Sequence, residues 1–122
     1  MNVAIIGIGS NIRAEENIPL ALQLLGERVT IEKVSELITT TPVGMTGQPD
    51  FVNGAVRITT ALSQEELERL LKEVEDRTGR DRTVPRFGPR TIDLDIVVWN
   101  GEIIDPDYYA RDFLRTAVSE VS

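Results

Sequence analysis

From Thr91 to Trp99 the chain reads TIDLDIVVW, and this alternation constrains the fold more than any other stretch. Successive strand residues point to opposite faces, so Ile92, Leu94, Ile96 and Val98 share one side while Asp93 and Asp95 share the other. The apolar side must be covered, and the carboxylate side must meet water or a cation. A sheet with helices packed on one face satisfies both demands.

The rest of the chain supplies such a sheet. Residues 2–8 (NVAIIGI) read as a short buried strand, followed by a Gly-Ser-Asn turn at Gly9 to Asn11. Ile18, Ala21, Leu22 and Leu25 follow helical spacing, with Asn17 as N-cap, Pro19 in the first turn and Gly26 as the stop. The β-branched run from Val29 to Thr40 reads as one long strand, and Pro42 to Pro49 as a loop. Phe51 to Ala61 is a further strand, with Val52, Gly54, Val56 and Ile58 on one face and Phe51, Asn53, Ala55, Arg57 and Thr59 on the other. Ser63 and Glu66 form a capping box that opens a helix with the stripe Leu67, Leu70, Leu71 and Val74, ended by Gly79. Asn100 and Gly101 mark a hairpin turn into Glu102 to Ile104, and the tail carries a weak helical pattern at Tyr109, Phe113 and Ala117. The order is β-α-β-β-α-β plus a hairpin and a C-terminal helix, an α+β chain on the ferredoxin-like plan. Both major helices then lie on one face of the sheet, and the second face is free to carry a site.

A length of 122 residues suits a single domain over residues 1–122. The absence of cysteine excludes disulfides, thiolate catalysis and cysteine metal sites. The absence of histidine removes the commonest general base and transition-metal ligand, so a metal here would be a hard cation held by carboxylates. No stretch reaches the ~20 apolar residues of a membrane span. No basic leader precedes the apolar start, so a cytosolic protein is expected. The net charge of −7 argues against a nucleic-acid partner for the chain as a whole. Its distribution is uneven: Arg77 to Arg90 holds five arginines and one acid, a basic island of +4 in a chain that is −11 elsewhere.

That island feeds directly into the strand of Asp93 and Asp95. Taken alone, the two aspartates fit either a Mg²⁺ site or a solvated sheet face. Arg80, Arg82, Arg86 and Arg90 lie among glycines and prolines on a loop of roughly 12 residues, a length that usually carries function. Guanidinium groups grip phosphates bidentately, and paired carboxylates hold the cations that bridge them. The combination points to Mg²⁺-dependent phosphoryl or nucleotidyl transfer, which asks a protein mainly for positioning and charge. Phe51 and Asn53 share the face of the aspartates and could stack on and read a flat heterocycle. Gly7 and Gly9 lack the third glycine of a dinucleotide fingerprint and read as a tight strand-to-loop turn. An RNA-binding sheet would need several exposed aromatics and a basic face, whereas aromatics make up 5% of this chain.

AIIGIGSN (residues 4–11), TTPVG (40–44), QPDFVN (48–53), GRDR (79–82) and RFGPRTIDLDI (86–96) occur in order. Together they resemble the 6-hydroxymethyl-7,8-dihydropterin pyrophosphokinase family of folate biosynthesis, over most of the chain up to Ile104. The resemblance implies a ferredoxin-like fold and transfer of pyrophosphate from ATP to the pterin hydroxymethyl group. It makes Asp93 and Asp95 ligands of two Mg²⁺ ions. By the same resemblance Arg80 and Arg90 would contact the ATP phosphates, with Arg82 and Arg86 as loop partners that close over the reaction. Glu75, the backbone of Ile96 and Arg111 would lie on the nucleotide side. Thr40, the backbone of Val43 and Asn53 would read the pterin edge, while Phe51 and Phe113 would stack on its two faces. Other folate-pathway enzymes are the implied neighbours, and a pterin- or nucleotide-binding domain without turnover is the alternative. The tail departs from the family pattern: it is short, has no histidine, and carries Asp112 where a small residue is usual.

Overall fold

The structure is a computed structural model that describes residues 1–41, 47–79 and 91–122. Its elements run β1 (Asn2–Ser10), α1 (Ala14–Gly26), β2 (Thr30–Val34), β3 (Ile38–Thr40), β4 (Phe51–Thr60), α2 (Gln64–Arg77), β5 (Asp93–Trp99), β6 (Glu102–Ile103), α3 (Asp107–Ala110) and α4 (Asp112–Val121). Six strands form one antiparallel sheet in the order β2-β4-β1-β5-β6, with β3 also paired to β4. No helix among the described residues is long and apolar enough to cross a membrane.

Helices α1 and α2 cover one face, as the alternation in β5 requires. Ala4, Ile6 and Ile8 of β1, Val56 and Ile58 of β4, and Ile92, Leu94 and Ile96 pack there against Ile18, Ala21 and Leu25 of α1 and Leu67, Leu71 and Val74 of α2. Val98 was expected in this set but lies in a second cluster on the opposite face, with Val97, Ile5 and Ala55. The cause is a bulge: Ile6 pairs with Ile96 and Ile5 with Val98, so Val97 is an extra residue that reverses the parity of the strand beyond it. Trp99 accordingly turns to the first core.

The second cluster also corrects the expectation of a free second face. Leu114, Ala117, Val118 and Val121 of α4 pack on it, and the end bearing Gly7, Gly9, Asn53, Asp93 and Asp95 stays open. The C-terminal pattern is two helices rather than one, with Arg111 extended between them (φ −123°, ψ 110°).

Two other expectations change. α1 starts at Ala14 behind Arg13, so Asn17 is not its cap; the Asn17 amide donates to the Ile12 carbonyl (2.6 Å), and Pro19 falls inside the helix. The long strand from Val29 to Thr40 breaks into β2 and β3 at Ser35 to Leu37. There the Ser35 hydroxyl accepts the Ala55 N–H (2.8 Å), and Leu37 folds over Gly54, where a Cβ would lie 2.7 Å from the leucine. The hairpin turn is as expected: Asn100 and Gly101 both have positive φ (47° and 84°), which suits the twist of the flanking strands.

α2 follows its sequence closely. The Glu66 N–H donates to Ser63 Oγ (3.1 Å) while the Ser63 N–H donates to Glu66 Oε1 (2.9 Å). The Ser63 backbone N–H, and after it the Ser63 hydroxyl, hold the Glu66 carboxyl below its usual pKa. Ser63→Ala should therefore lower stability by about 1 kcal/mol, read from the urea unfolding midpoint.

Candidate active site

The open end of the second sheet face is a pocket of about 520 Å³. Its size and its convergent polar groups suit a small molecule. Its floor is set by pairing register. Gly9 of β1 lies opposite Asn53 on one side and Asp93 on the other, and Gly7 lies opposite Ala55 and Asp95. Asn53 and Asp93 are thus two strand spacings apart, about 10 Å, with glycine between them. Asp93 and Asp95 follow each other on one face of β5, as the sequence requires.

The two glycines belong to the strand, which runs on to Ser10, so the turn expected at Gly9 begins later. They matter through what they leave out. A Cβ at Gly9 would sit 2.7 Å from Asn53 Oδ1, and one at Gly7 would sit 3.2 Å from Val97. The Asn53 amide is fixed from its other end, where Nδ2 donates to Thr40 Oγ1 (2.6 Å). A bare floor and an oriented amide are therefore one arrangement.

Ser10 and Asn11, both buried, tie the site-bearing strand ends together. The Ser10 hydroxyl lies 2.6 Å from the Thr91 carbonyl, just before β5. Asn11 Nδ2 donates to Gln48 Oε1 (2.8 Å) and to the Pro49 carbonyl (3.0 Å), just before β4. Sequence reasoning saw a turn here; the signal it passed over was two polar residues at the end of a fully apolar strand.

Seven of the expected site residues meet in this pocket: Thr40, Phe51, Asn53, Asp93, Asp95, Arg111 and Phe113. Phe113, in the first turn of α4, also packs on the second core cluster. Glu75 and Ile96 do not line it and lie on the helix-covered side. Glu75 is 4% exposed and accepts the Leu94 N–H at Oε2 (2.9 Å), which fastens α2 to the start of β5 between the two aspartates. Val43, Arg80, Arg82, Arg86 and Arg90 lie outside the described residues.

Sequence reasoning missed Asp105 and Asp107, which line the wall beside Arg111. Burial pushes the Asp105 carboxyl up; the Asp107 N–H it accepts (2.9 Å) pulls it down, and the charges of Asp107 and Asp93 raise it again. The pocket is thus acidic at the β5 end, and amide- and aromatic-lined at the β4 end. A small flat molecule with a polar edge fits one end, and groups that need cations or guanidinium partners fit the other.

Residues 5–122 match the sequence profile of the 7,8-dihydro-6-hydroxymethylpterin-pyrophosphokinase family. The chain is 40% identical to the 2-amino-4-hydroxy-6-hydroxymethyldihydropteridine pyrophosphokinase of Bacillus subtilis, an alignment that covers 98% of this chain and 78% of that one. It is 32% identical to the protein of the same name from Haemophilus influenzae, over 100% of this chain and 82% of the relative. It is also 39% identical to the bifunctional protein FolKE of Lactococcus lactis, over 82% of this chain and 29% of that longer one. This chain belongs to the 7,8-dihydro-6-hydroxymethylpterin-pyrophosphokinase family.

The raised Asp105 carboxyl has a stability consequence. Above both its folded and unfolded pKa the folded state carries the penalty of the buried charge. As pH falls through the folded pKa the group takes up its proton and the penalty is relieved. Asp105→Asn keeps an acceptor for the Asp107 N–H and should melt higher than the parent at pH 7. That gain should fade as pH drops through the carboxylate range, a comparison thermal melts at stepped pH will make.

Proposed function

We propose that this chain transfers pyrophosphate from ATP to the hydroxymethyl group of 6-hydroxymethyl-7,8-dihydropterin, giving the pterin diphosphate and AMP in folate biosynthesis. The observation that carries the reading is the single sheet face on which Thr40, Phe51 and Asn53 stand at one end and Asp93 and Asp95 at the other, about 10 Å away. Family membership supplies the names of the substrates. We assign the fold to the ferredoxin-like plan. Its support is the split order, in which β4 lies between β1 and β2 while β1 lies between β4 and β5, all antiparallel.

In this reading the pterin lies over Gly7 and Gly9, with its polar edge on Asn53, Thr40 and the backbone of Val43. Phe51 and Phe113 flank its faces. Its hydroxymethyl oxygen then points toward the aspartate end and attacks the β-phosphorus of ATP. The bond from the β-phosphorus to the oxygen bridging it to the α-phosphorus breaks, the hydroxyl proton passes to solvent, and AMP leaves. Arg80, Arg82, Arg86 and Arg90, which precede β5 in sequence, neutralise phosphate oxygens, as does Arg111 from the pocket wall. Glu75 and Ile96 support the nucleotide side through the start of β5.

Asp93 and Asp95 would hold Mg²⁺. Two carboxylates on one strand face, without imidazole or thiolate, suit a hard cation that keeps its remaining positions for water and phosphate oxygens. Mg²⁺ supplies positive charge to those phosphate oxygens when bound. The same two carboxylates would hold the second Mg²⁺ that the family resemblance implies. The likeness to the folate synthesis bifunctional protein of Arabidopsis thaliana and to the bifunctional protein FolKE supports neighbouring pathway enzymes as partners.

AMP release from ATP and 6-hydroxymethyl-7,8-dihydropterin, measured with and without Mg²⁺, tests the reading. Turnover that needs both pterin and Mg²⁺ is expected; binding of both ligands without AMP release would replace the enzyme by a binding domain. Asp95→Asn should reduce kcat at least about 100-fold with the melting temperature preserved. Gly9→Ala should weaken pterin binding about 10-fold in calorimetry, because the new methyl displaces the Asn53 amide.

A further inference from the structure

The wall that completes the pocket is the least regular part of the chain. It consists of α3, a single helical turn of four residues, then Arg111, then the first turn of α4 with Phe113. One turn of helix has too few internal bonds to stand alone, and its last carbonyls lack helical partners. Its beginning is held by Asp105, whose side chain accepts the Asp107 N–H and whose carbonyl accepts the Tyr108 N–H (3.1 Å). Its end is held by a residue outside the pocket. Arg115, one turn into α4, reaches back so that NH1 donates to the carbonyls of Tyr108 (2.9 Å) and Tyr109 (2.7 Å), while NH2 pairs with Asp112.

We propose that Arg115 is a positioning residue, a clamp that fixes the α3–α4 corner and thereby sets Arg111 and Phe113 at the pocket. Among the described residues the corner's backbone ties are the Arg111 N–H to the Asp107 carbonyl (3.0 Å) and the Leu114 and Arg115 N–H groups to the Arg111 carbonyl (3.2 and 3.3 Å), and the Tyr108 side chain packs on the second core cluster. None of these engages the carbonyls of Tyr108 and Tyr109. The guanidinium does so with two charge-assisted bonds from one planar group, and it joins both helices by side chain. Its pairing with Asp112 is secondary, because the Asp112 side chain is 95% exposed and such pairs contribute little. Attachment of α4 to the sheet does not depend on Arg115, since Leu114, Ala117, Val118 and Val121 make that contact.

The inference rests on the proposed placement of Phe113 and Arg111 against substrate, so the test separates the two. The variants Arg115→Met, Arg115→Lys, Asp112→Ala and Phe113→Ala are made in the full chain and titrated with 6-hydroxymethyl-7,8-dihydropterin by calorimetry. Arg115→Met should weaken binding about 10-fold, through the loss of two hydrogen bonds to a turn end with no other partner among the described residues. Arg115→Lys, a single point donor, should fall between that and the parent, and Asp112→Ala should stay within about twofold. On a Phe113→Ala background Arg115→Met should cost less than about twofold, since the clamp acts through that ring. A general loss of structure would instead add fully to Phe113→Ala, and full additivity overturns the proposal. So does an Asp112→Ala loss equal to that of Arg115→Met, or parent-like binding by Arg115→Met. Amide hydrogen exchange at Arg111 and Leu114 in the ligand-free protein reads the clamp without substrate. Faster exchange in Arg115→Met alongside parent-like binding by Phe113→Ala overturns the placement of Phe113. Unchanged exchange overturns the clamp whatever the binding shows.

Discussion

Strand β1 is paired along both edges, to β4 from Asn2 to Ser10 and to β5 from Ala4 to Gly9. Every group on the sheet floor of the pocket takes its position from those two ladders. A slip of one residue against β5 would turn Asp93 and Asp95 into the α1–α2 core and bring Leu94 to the pocket. The side chains of Ile6, Ile8, Leu94 and Ile96, all buried on the helix side, oppose that slip, each contributing about 1.5–3 kcal/mol through burial. The site is therefore held in register by the core beneath it. Ser10 and Asn11 extend the same control past the last ladder bonds, to the residues that lead into β5 and β4.

The bulge at Val97 divides the second face into two functions. Toward Trp99 the face is apolar and receives α4; toward Asp93 it is polar and stays open. In a regular ladder without the bulge, Val98 would pair with Ala4 and point to the first core, and the second cluster on which α4 packs would lose that side chain. α4 is latched at its far end as well, where Glu120 Oε1 accepts the Glu36 N–H (2.9 Å) in the segment between β2 and β3. Phe113 thus stands at the pocket end of a helix whose other end is fixed to the far side of the sheet.

Much of this was legible in local sequence. Strict alternation in β4 and in β5 up to Ile96 gave both faces, the Ser63–Glu66 box gave the start of α2, and Asn100-Gly101 gave the hairpin. The seven expected residues that meet in the pocket could be grouped because strand parity places Phe51, Asn53, Asp93 and Asp95 on one face, and the family resemblance added Thr40, Arg111 and Phe113. What failed depended on tertiary context. The bulge looks like ordinary strand, because Val97 and Val98 are equally β-prone and only the pairing with Ile5 and Ile6 shows which one is extra. The break at Ser35 is set by Leu37 lying over Gly54, a contact between residues 17 apart. Asn17 has the chemistry of a cap, but Glu15 and Glu16 already favour the helix start before it. Asp105 and Asp107 look like turn residues in a polar tail, and only the return of the chain over β5 brings them to the pocket.

The walls of the pocket are unequal in how they are held. Thr40, Phe51 and Asn53 sit on strands bonded to a central neighbour, with Asn53 oriented by Thr40 and bounded by Gly9. Asp93 and Asp95 sit on a strand backed by α2, and Glu75 fastens the N–H between them. Arg111 and Phe113 have no ladder behind them; their support is the apolar seat of α4 and the polar ties at α3. Groups on paired strands are held by many backbone bonds, whereas a wall joined by a few side-chain bonds can open at lower cost than the sheet. The β4 and β5 sides are therefore the firmer part of the pocket, and the α3–α4 corner is the part whose geometry depends on side chains.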